Sequence, residues 1–190
     1  MTMYRLLARG AAALAIVMTL PFAAIAESMP GVGDTAPDFE LNTLAGQPVK
    51  LSSMTADGHV VLLVLRGWPG YQCPICSRQV HDFVTSAPAF KAANTRVVMI
   101  YPGPSDDLKA RADEFQERVE WPDHFTYLLD PDYTMINAYG LRWDAPRETA
   151  YPSTFVLDQS GTVRFAKVSD GHGGRTSAAE ALAEVNRIDK

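Results

Sequence analysis

Two stretches of the chain are apolar without interruption for about the length of a strand. "HVVLLVLRG" (59–67) is a run of β-branched residues and leucine bounded by Gly58 and Gly67, and "TRVVMIYPG" (95–103) repeats the pattern and ends at Pro102-Gly103. Continuous runs of this kind predict strands covered on both faces, whereas a half-exposed strand would alternate. "FTYLLD" (125–130) predicts a third, shorter strand. Between these runs the period changes to that of a helix. The segment from Cys73 to about Phe90 reads as one helix, and in "SDDLKARADEFQERV" (105–119) Leu108, Ala112, Phe115 and Val119 fall on one helical stripe with Ser105 as the cap. Tyr133 to Tyr139 predicts a short helix stopped by Gly140. "STFVLDQSGTVRFAKV" (153–168) is two β-rich runs about Gln159-Ser160-Gly161, a hairpin, and Ser177 with Glu180 forms a capping-box pattern opening a last helix through Leu182, Val185 and Ile188.

The stretch before the first buried run, "ESMPGVGDTAPDFELNTLAGQPVKLSS" (27–53), is rich in Gly, Pro and Thr, with no helix signal. It suggests an extended arm with a small hairpin. Strands alternating with helices and closed by a hairpin predict an α/β fold: a central mixed β-sheet flanked by helices on both faces. No internal repeat, low-complexity segment or long linker divides the chain.

The first 26 residues follow a different rule. Arg5 and Arg9 precede the apolar stretch "AAALAIVMTLPFAAIA" (11–26), which contains Pro21 and ends in small residues, the pattern of a secretory signal peptide cut after Ala26. The run is shorter than the ~20 residues a spanning helix needs, so no stable membrane anchor is expected after cleavage. No cysteine lies near the cut, which disfavours a lipoprotein, and the two arginines are not adjacent, which does not indicate the twin-arginine route. Residues 27–190 are then one secreted domain, with the bacterial periplasm as the expected compartment. Two of the chain's 17 basic residues and none of its 22 acidic ones lie in the leader, so the remainder carries −7. That acidity, with no basic stripe, argues against a nucleic-acid partner.

The export signal changes how the chain's two cysteines, Cys73 and Cys76 in "RGWPGYQCPICSRQ" (66–79), are read. Outside the cytosol disulfides persist, but a bridge stabilises mainly by closing a long loop, and two intervening residues close almost nothing. A metal site would need further ligands, and His59, His81, His124 and His172 have no paired spacing. A reactive dithiol with no metal and no cofactor is the reading that remains. Pro74 sets the register: proline is favoured at the first helical position, which makes Cys73 the cap and puts Cys76 in the first turn. A thiolate there meets unpaired N–H groups and the positive end of the helix dipole, and both lower its pKa. Trp68 and Tyr71 flank the pair, either as loop packing or as substrate contacts, and Arg66 and Arg78 could support a thiolate, with Arg78 read as a solvated helix residue. His172 in "DGHGG" is read as a solvated loop histidine.

A second signal is Pro152, directly before a strand in "AYPSTFVLD". With "GDTAPDF" (33–39), the strand leading into "CPIC" and "YPSTFVLDQSG", three motifs in order over about residues 31–170, the chain resembles the AhpC/TSA and redoxin branch of the thioredoxin superfamily. The resemblance implies a thioredoxin-like fold in which the Tyr151–Pro152 bond is cis and Pro152 packs beside the dithiol. It implies an antioxidant thiol oxidoreductase, peroxiredoxin-like, that reduces hydroperoxides and is recharged by an external thiol electron donor. The alternative it implies is a TlpA-like periplasmic thiol-disulfide oxidoreductase acting on protein disulfides, and a third reading is a non-enzymatic thioredoxin-fold binding module.

The two enzymatic readings assign the sulfurs differently. If Pro69 is the peroxiredoxin motif proline, Cys76 attacks the peroxide; in the reductase register Cys73 attacks and Cys76 resolves. The cap position favours Cys73 as the lower-pKa sulfur. The order of attack stays open on the sequence. The resemblance also implies an arginine three residues before Phe155, where this chain has Pro152, leaving Arg147 or Arg66 as substitutes; against ordinary thioredoxins, the loop from Gly67 to Gln72 is long. The candidate site is therefore Cys73 and Cys76, shaped by Arg66, Trp68, Pro69, Tyr71, Tyr151 and Pro152.

Overall fold

The computed structural model of the chain describes residues 28–117 and 119–188. The expected leader lies outside them. Seven strands, β1 (Glu40–Thr43), β2 (Pro48–Lys50), β3 (His59–Val64), β4 (Thr95–Gly103), β5 (Phe125–Pro131), β6 (Ser153–Leu157) and β7 (Val163–Val168), form one sheet in the order β2-β1-β5-β4-β3-β6-β7. Strands β3, β4 and β5 are parallel, and β1, β2, β6 and β7 pair antiparallel. The helices are α1 (Leu51–Asp57), α2 (Pro74–Thr85), α3 (Ala87–Ala92), α4 (Leu108–Gln116), α5 (Thr134–Ala138) and α6 (Ala178–Ile188). No helix among the described residues is long and apolar enough to cross a membrane.

The period-2 geometry of a strand explains the uninterrupted apolar runs. Along β3, Val61 and Leu63 enter the core beneath α2, α3, α4 and α6, while Val60, Leu62 and Val64 enter a second core with α1 and α5. Both faces of the strand need apolar side chains because both are covered. In the first core Phe83 and Phe90 stack at 5.4 Å and are fully buried, and truncating either to alanine would cost about 3–5 kcal/mol.

Four details depart from the sequence reading. The expected helix from Cys73 to Phe90 is broken at Ser86, because Pro88 occupies the start of α3 and cannot donate into a continued ladder. Ser105 does not cap α4; its N–H donates to Asp132 Oδ1, and Asp107 in a left-handed conformation is the N-cap. Helix α1 falls where no helix signal stood, and its Leu51 and Met54 are held by burial rather than by a cap. The N-terminal hairpin is not a detached arm, since β1 pairs with β5 at the sheet edge.

Candidate active site

Strand β3 delivers the chain to the carboxyl edge of the parallel strands, and the loop that follows turns back toward α2. Gly67 makes the turn with φ +67°, and a Cβ there would lie 1.8 Å from the Pro102 carbonyl oxygen, so this close approach requires glycine. The same carbonyl accepts the Trp68 N–H at 3.1 Å, which fastens the loop to the end of β4. Helix α2 then opens as the proline register predicts, with Cys73 as N-cap and Pro74 first in the helix.

The Cys73 Sγ accepts the Cys76 N–H at 3.4 Å, and the Cys76 Sγ accepts the Arg66 N–H at 3.4 Å. Both cysteines are free thiols and almost fully covered, at 2% and 1% exposure. They do not titrate alike. The hydrogen bond from the Cys76 thiol lowers the Cys73 pKa from 9.0 to about 5 against the cost of burial, helped by the N–H groups of Cys76 and Ile75 and by the charge of Arg175. Burial and the same hydrogen bond push the Cys76 thiol above its ordinary value. The two directions are opposite: the surroundings favour the negative charge on the capping sulfur, Cys73, and the proton on Cys76.

Arg66 does not serve the sulfurs through its charge. Its side chain is 2% exposed, and its Nε meets Glu148 Oε2 at 2.6 Å. The remaining guanidinium nitrogens donate to the Tyr71 hydroxyl at 2.5 Å and the Arg147 carbonyl at 2.7 Å. Only its backbone N–H reaches a thiol. The Arg147 side chain is exposed, and its part here is the carbonyl that Arg66 binds. Arg78 is exposed, as expected.

The side chain that does reach both sulfurs is Arg175, which the sequence reading missed. Its Nη1 lies 3.3 Å from Cys76 Sγ and its Nη2 3.8 Å from Cys73 Sγ, with Nη1 also 3.0 Å from Gln79 Oε1. Glu148, Gln79 and Thr149, whose hydroxyl donates to the Arg66 carbonyl, were missed as well. The available signal was weak: Arg175 follows the glycines of "DGHGG" between a strand and a helix, where a flexible loop can aim one side chain. His172 of that loop is not simply solvated. Its Nε2 lies 3.0 Å from Glu148 Oε1 and its ring packs on Trp143, which stacks on Tyr151 at 4.8 Å. Burial opposes the Glu148 carboxylate, but Arg66 and His172 together hold it below the usual range.

The remaining candidates sit at the same sheet edge. Trp68 is half-buried against the core with the Arg111 guanidinium over its ring at 4.5 Å, and Pro69 is buried. Tyr71 stays exposed while its hydroxyl is tied to Arg66. Pro152 is buried one residue before Ser153, which pairs with Val64 at the end of β3. The Tyr151–Pro152 bond is trans, correcting the cis geometry implied by resemblance: no described peptide bond is cis. Backbone bonds fix the chain on both sides of it, from Tyr151 N–H to the Leu141 carbonyl and from Ser169 N–H to the Pro152 carbonyl.

Comparison with known proteins bears on this arrangement. Peroxiredoxin Q of Oryza sativa subsp. japonica is 30% identical over 133 residues, covering 70% of this chain and 57% of the relative. Thiol-disulfide oxidoreductase ResA of Geobacillus thermodenitrificans is 27% identical over 133 residues, covering 70% of this chain and 67% of that one. The chain thus spans just over half the length of the first peroxiredoxins it matches. Among solved structures, peroxidoxin BcpB from Mycobacterium tuberculosis superposes with a TM-score of 0.64 at 25% identity, covering 84% of this chain and 98% of that one. The fold is thioredoxin-like, as the resemblance implied. Residues 32–166 match the model of the AhpC/TSA family, and the chain belongs to that family.

Proposed function

We propose that this protein is a thiol oxidoreductase that reduces hydroperoxides, with Cys73 as the attacking thiolate and Cys76 as the resolving thiol. The observation that carries the reading is the division of labour within one helical turn: Cys73 is lowered to about 5 at the cap while Cys76, buried beside it, keeps its proton. The thiolate is the nucleophile, and at neutral pH Cys73 holds that form. In the first step its sulfur forms a bond to the terminal peroxide oxygen, the O–O bond breaks, and the alkoxide or hydroxide takes a proton from water. Cys73 is then a sulfenic acid. Cys76 loses its proton and attacks that sulfur, hydroxide leaves as water, and a Cys73–Cys76 disulfide remains for an external dithiol to reduce. Sulfurs only 1–2% exposed suit a small peroxide better than a bulky partner. In this reading Trp68, Pro69 and Tyr71 shape the loop over the sulfurs, Arg66 fastens it, and Tyr151 and Pro152 form the wall from β6.

A second reading, thiol-disulfide exchange on protein substrates, is favoured by two observations. The low-pKa sulfur is the first cysteine of the pair, the order in which exchange enzymes use it, and Pro152 stands where the peroxidase resemblance implies arginine. The leader pattern of residues 1–26 supports action in the periplasm, where such a dithiol would be recharged by an exported thiol donor.

The test uses Cys73→Ser and Cys76→Ser proteins mixed with stoichiometric hydrogen peroxide, with sulfenate followed by mass. Rapid sulfenate on Cys73 in the Cys76→Ser protein is the expected result. Fast oxidation surviving only in Cys73→Ser would transfer the attack to Cys76. If neither protein outpaces free thiol while Cys76→Ser traps mixed disulfides through Cys73, exchange replaces peroxide reduction.

A further inference from the structure

Among the described residues Arg175 has no carboxylate partner. Its side-chain nitrogens meet Cys76 Sγ, Cys73 Sγ, Gln79 Oε1 and, through Nε at 3.0 Å, the His172 carbonyl. The last two are neutral acceptors. They pin the plane of the guanidinium from two sides without cancelling its charge, and Gln79 is itself held by the Thr176 carbonyl at 3.0 Å. The far end of the loop is fastened to the helix that carries the sulfurs, because the Ala178 N–H donates to Asp82 Oδ2 of α2 at 2.7 Å. Arg175 is thus a half-buried cation held against two sulfurs, and the charge that balances it is the thiolate.

We infer that Arg175 is a catalytic residue of the reaction proposed above: it holds the attacking sulfur as a thiolate and, as the O–O bond breaks, donates an N–H hydrogen bond to the departing oxygen. The inference rests on the peroxidase reading for its second half only. A guanidinium suits both tasks, because its planar fork presents several N–H groups at fixed angles and stays charged throughout. It donates hydrogen bonds without giving up a proton, so the proton on the leaving oxygen still comes from water. The assignment also accounts for Pro152. The cation implied three residues before Phe155 is absent from β6, and one arrives instead from the loop between β7 and α6.

Two readouts separate the halves. Iodoacetamide alkylation of Cys73 followed from pH 4 to pH 9 reports the thiolate without any peroxide. The titratable groups facing the sulfurs are Arg175, Tyr101 on β4 and Tyr127 on β5, besides Cys73 and Cys76 themselves on α2, and behind the Arg66 N–H that reaches Cys76 lie Tyr71, Glu148 and His172. The profile is therefore measured in the Cys76→Ser background to leave one thiol. In that background Arg175→Met is expected to raise the midpoint by about 1 to 2 from its position in the Cys76→Ser protein with Arg175 intact, cutting the alkylation rate one pH unit above that starting midpoint about two- to tenfold. Arg175→Lys keeps the charge and is expected to keep the profile, which guards against a variant that merely misfolds. The rate with hydrogen peroxide is expected to fall in both variants by at least about tenfold beyond the loss of thiolate, because the fork of donors is gone.

An unchanged alkylation profile in a folded Arg175→Met protein would overturn the thiolate half. A peroxide rate that merely tracks the thiolate fraction would overturn the second half. Arg78→Ala, on an exposed side chain of the same helix, is expected to change neither. If the wild-type dithiol does not outpace free thiol with peroxide, the peroxidase reading fails, while the alkylation profile still decides whether Arg175 holds the thiolate.

Discussion

Two arginines stand at the edge of this sheet and do opposite work. Arg66 is the more deeply buried, yet its charge is spent on Glu148, the Tyr71 hydroxyl and the Arg147 carbonyl, so the sulfurs see only its backbone N–H. Arg175 is less buried but meets only neutral acceptors and the two sulfurs. Proximity of a cation is therefore a poor guide to the field at a thiol. What matters is whether the cation already has a counter-charge, since a paired guanidinium acts at a distance as a dipole and an unpaired one as a charge. Arg66 reads as a strut that ties the 66–72 loop to the 147–149 segment, and Arg175 as the source of positive potential.

Substitution of the strut is expected to have the largest effect. Arg66→Met leaves the Glu148 carboxylate, 12% exposed, with His172 as its remaining ionisable partner, and urea unfolding should show a loss of about 3 kcal/mol, the low end for a broken buried pair. Where that protein remains folded, its Cys73 alkylation profile should stay at the wild-type position, the reverse of the result expected for Arg175→Met. A shifted profile in Arg66→Met would mean that the two roles are not separate.

A smaller effect concerns pH. Cys73 is lowered on folding from 9.0 to about 5, so between these values the unfolded chain binds more protons than the folded one, and stability rises with pH. The contribution is complete above pH 9 and is lost as pH falls toward 5. Reduced protein should gain roughly 5 °C or more in Tm over that window relative to Cys73→Ser, followed by calorimetry under a reductant. A flat difference would show that the thiolate is not stabilised by the fold. The smallest expected effect belongs to Tyr71→Phe, which removes the hydroxyl bonded to Arg66 but keeps the ring beside its guanidinium, with the cation 5.1 Å from the ring centroid. A loss of about 1 kcal/mol is expected, and a loss several times larger would make the hydroxyl essential to the strut.

Much of the architecture was legible in one dimension because it depends on local rules. The strands β3 and β4 follow from uninterrupted apolar runs, the start of α2 from Pro74, the β6–β7 turn from Gly161 at φ +77°, and the start of α6 from Ser177, whose hydroxyl accepts the Glu180 N–H at 3.2 Å. Helix α1 was not legible. Its seven residues lack a capping side chain, and what stabilises them is the burial of Leu51 and Met54 against a sheet formed largely by later residues. The same distinction holds at the site. Cys73 and Cys76 announce themselves by spacing alone, whereas Glu148 lies 82 residues from the arginine it neutralises and Arg175 lies 99 residues from the sulfur it touches.

A dithiol at a helix start, with Cys73 as its cap, was readable from residues 66–79 alone, because proline geometry and exposed N–H groups act within a few residues. Which cation faces that dithiol depends on long-range packing. Arginine side chains of similar reach stand at 66, 78, 147 and 175, and a charge is valued by the partners around it. Those partners come from separate loops that only the closed sheet brings together.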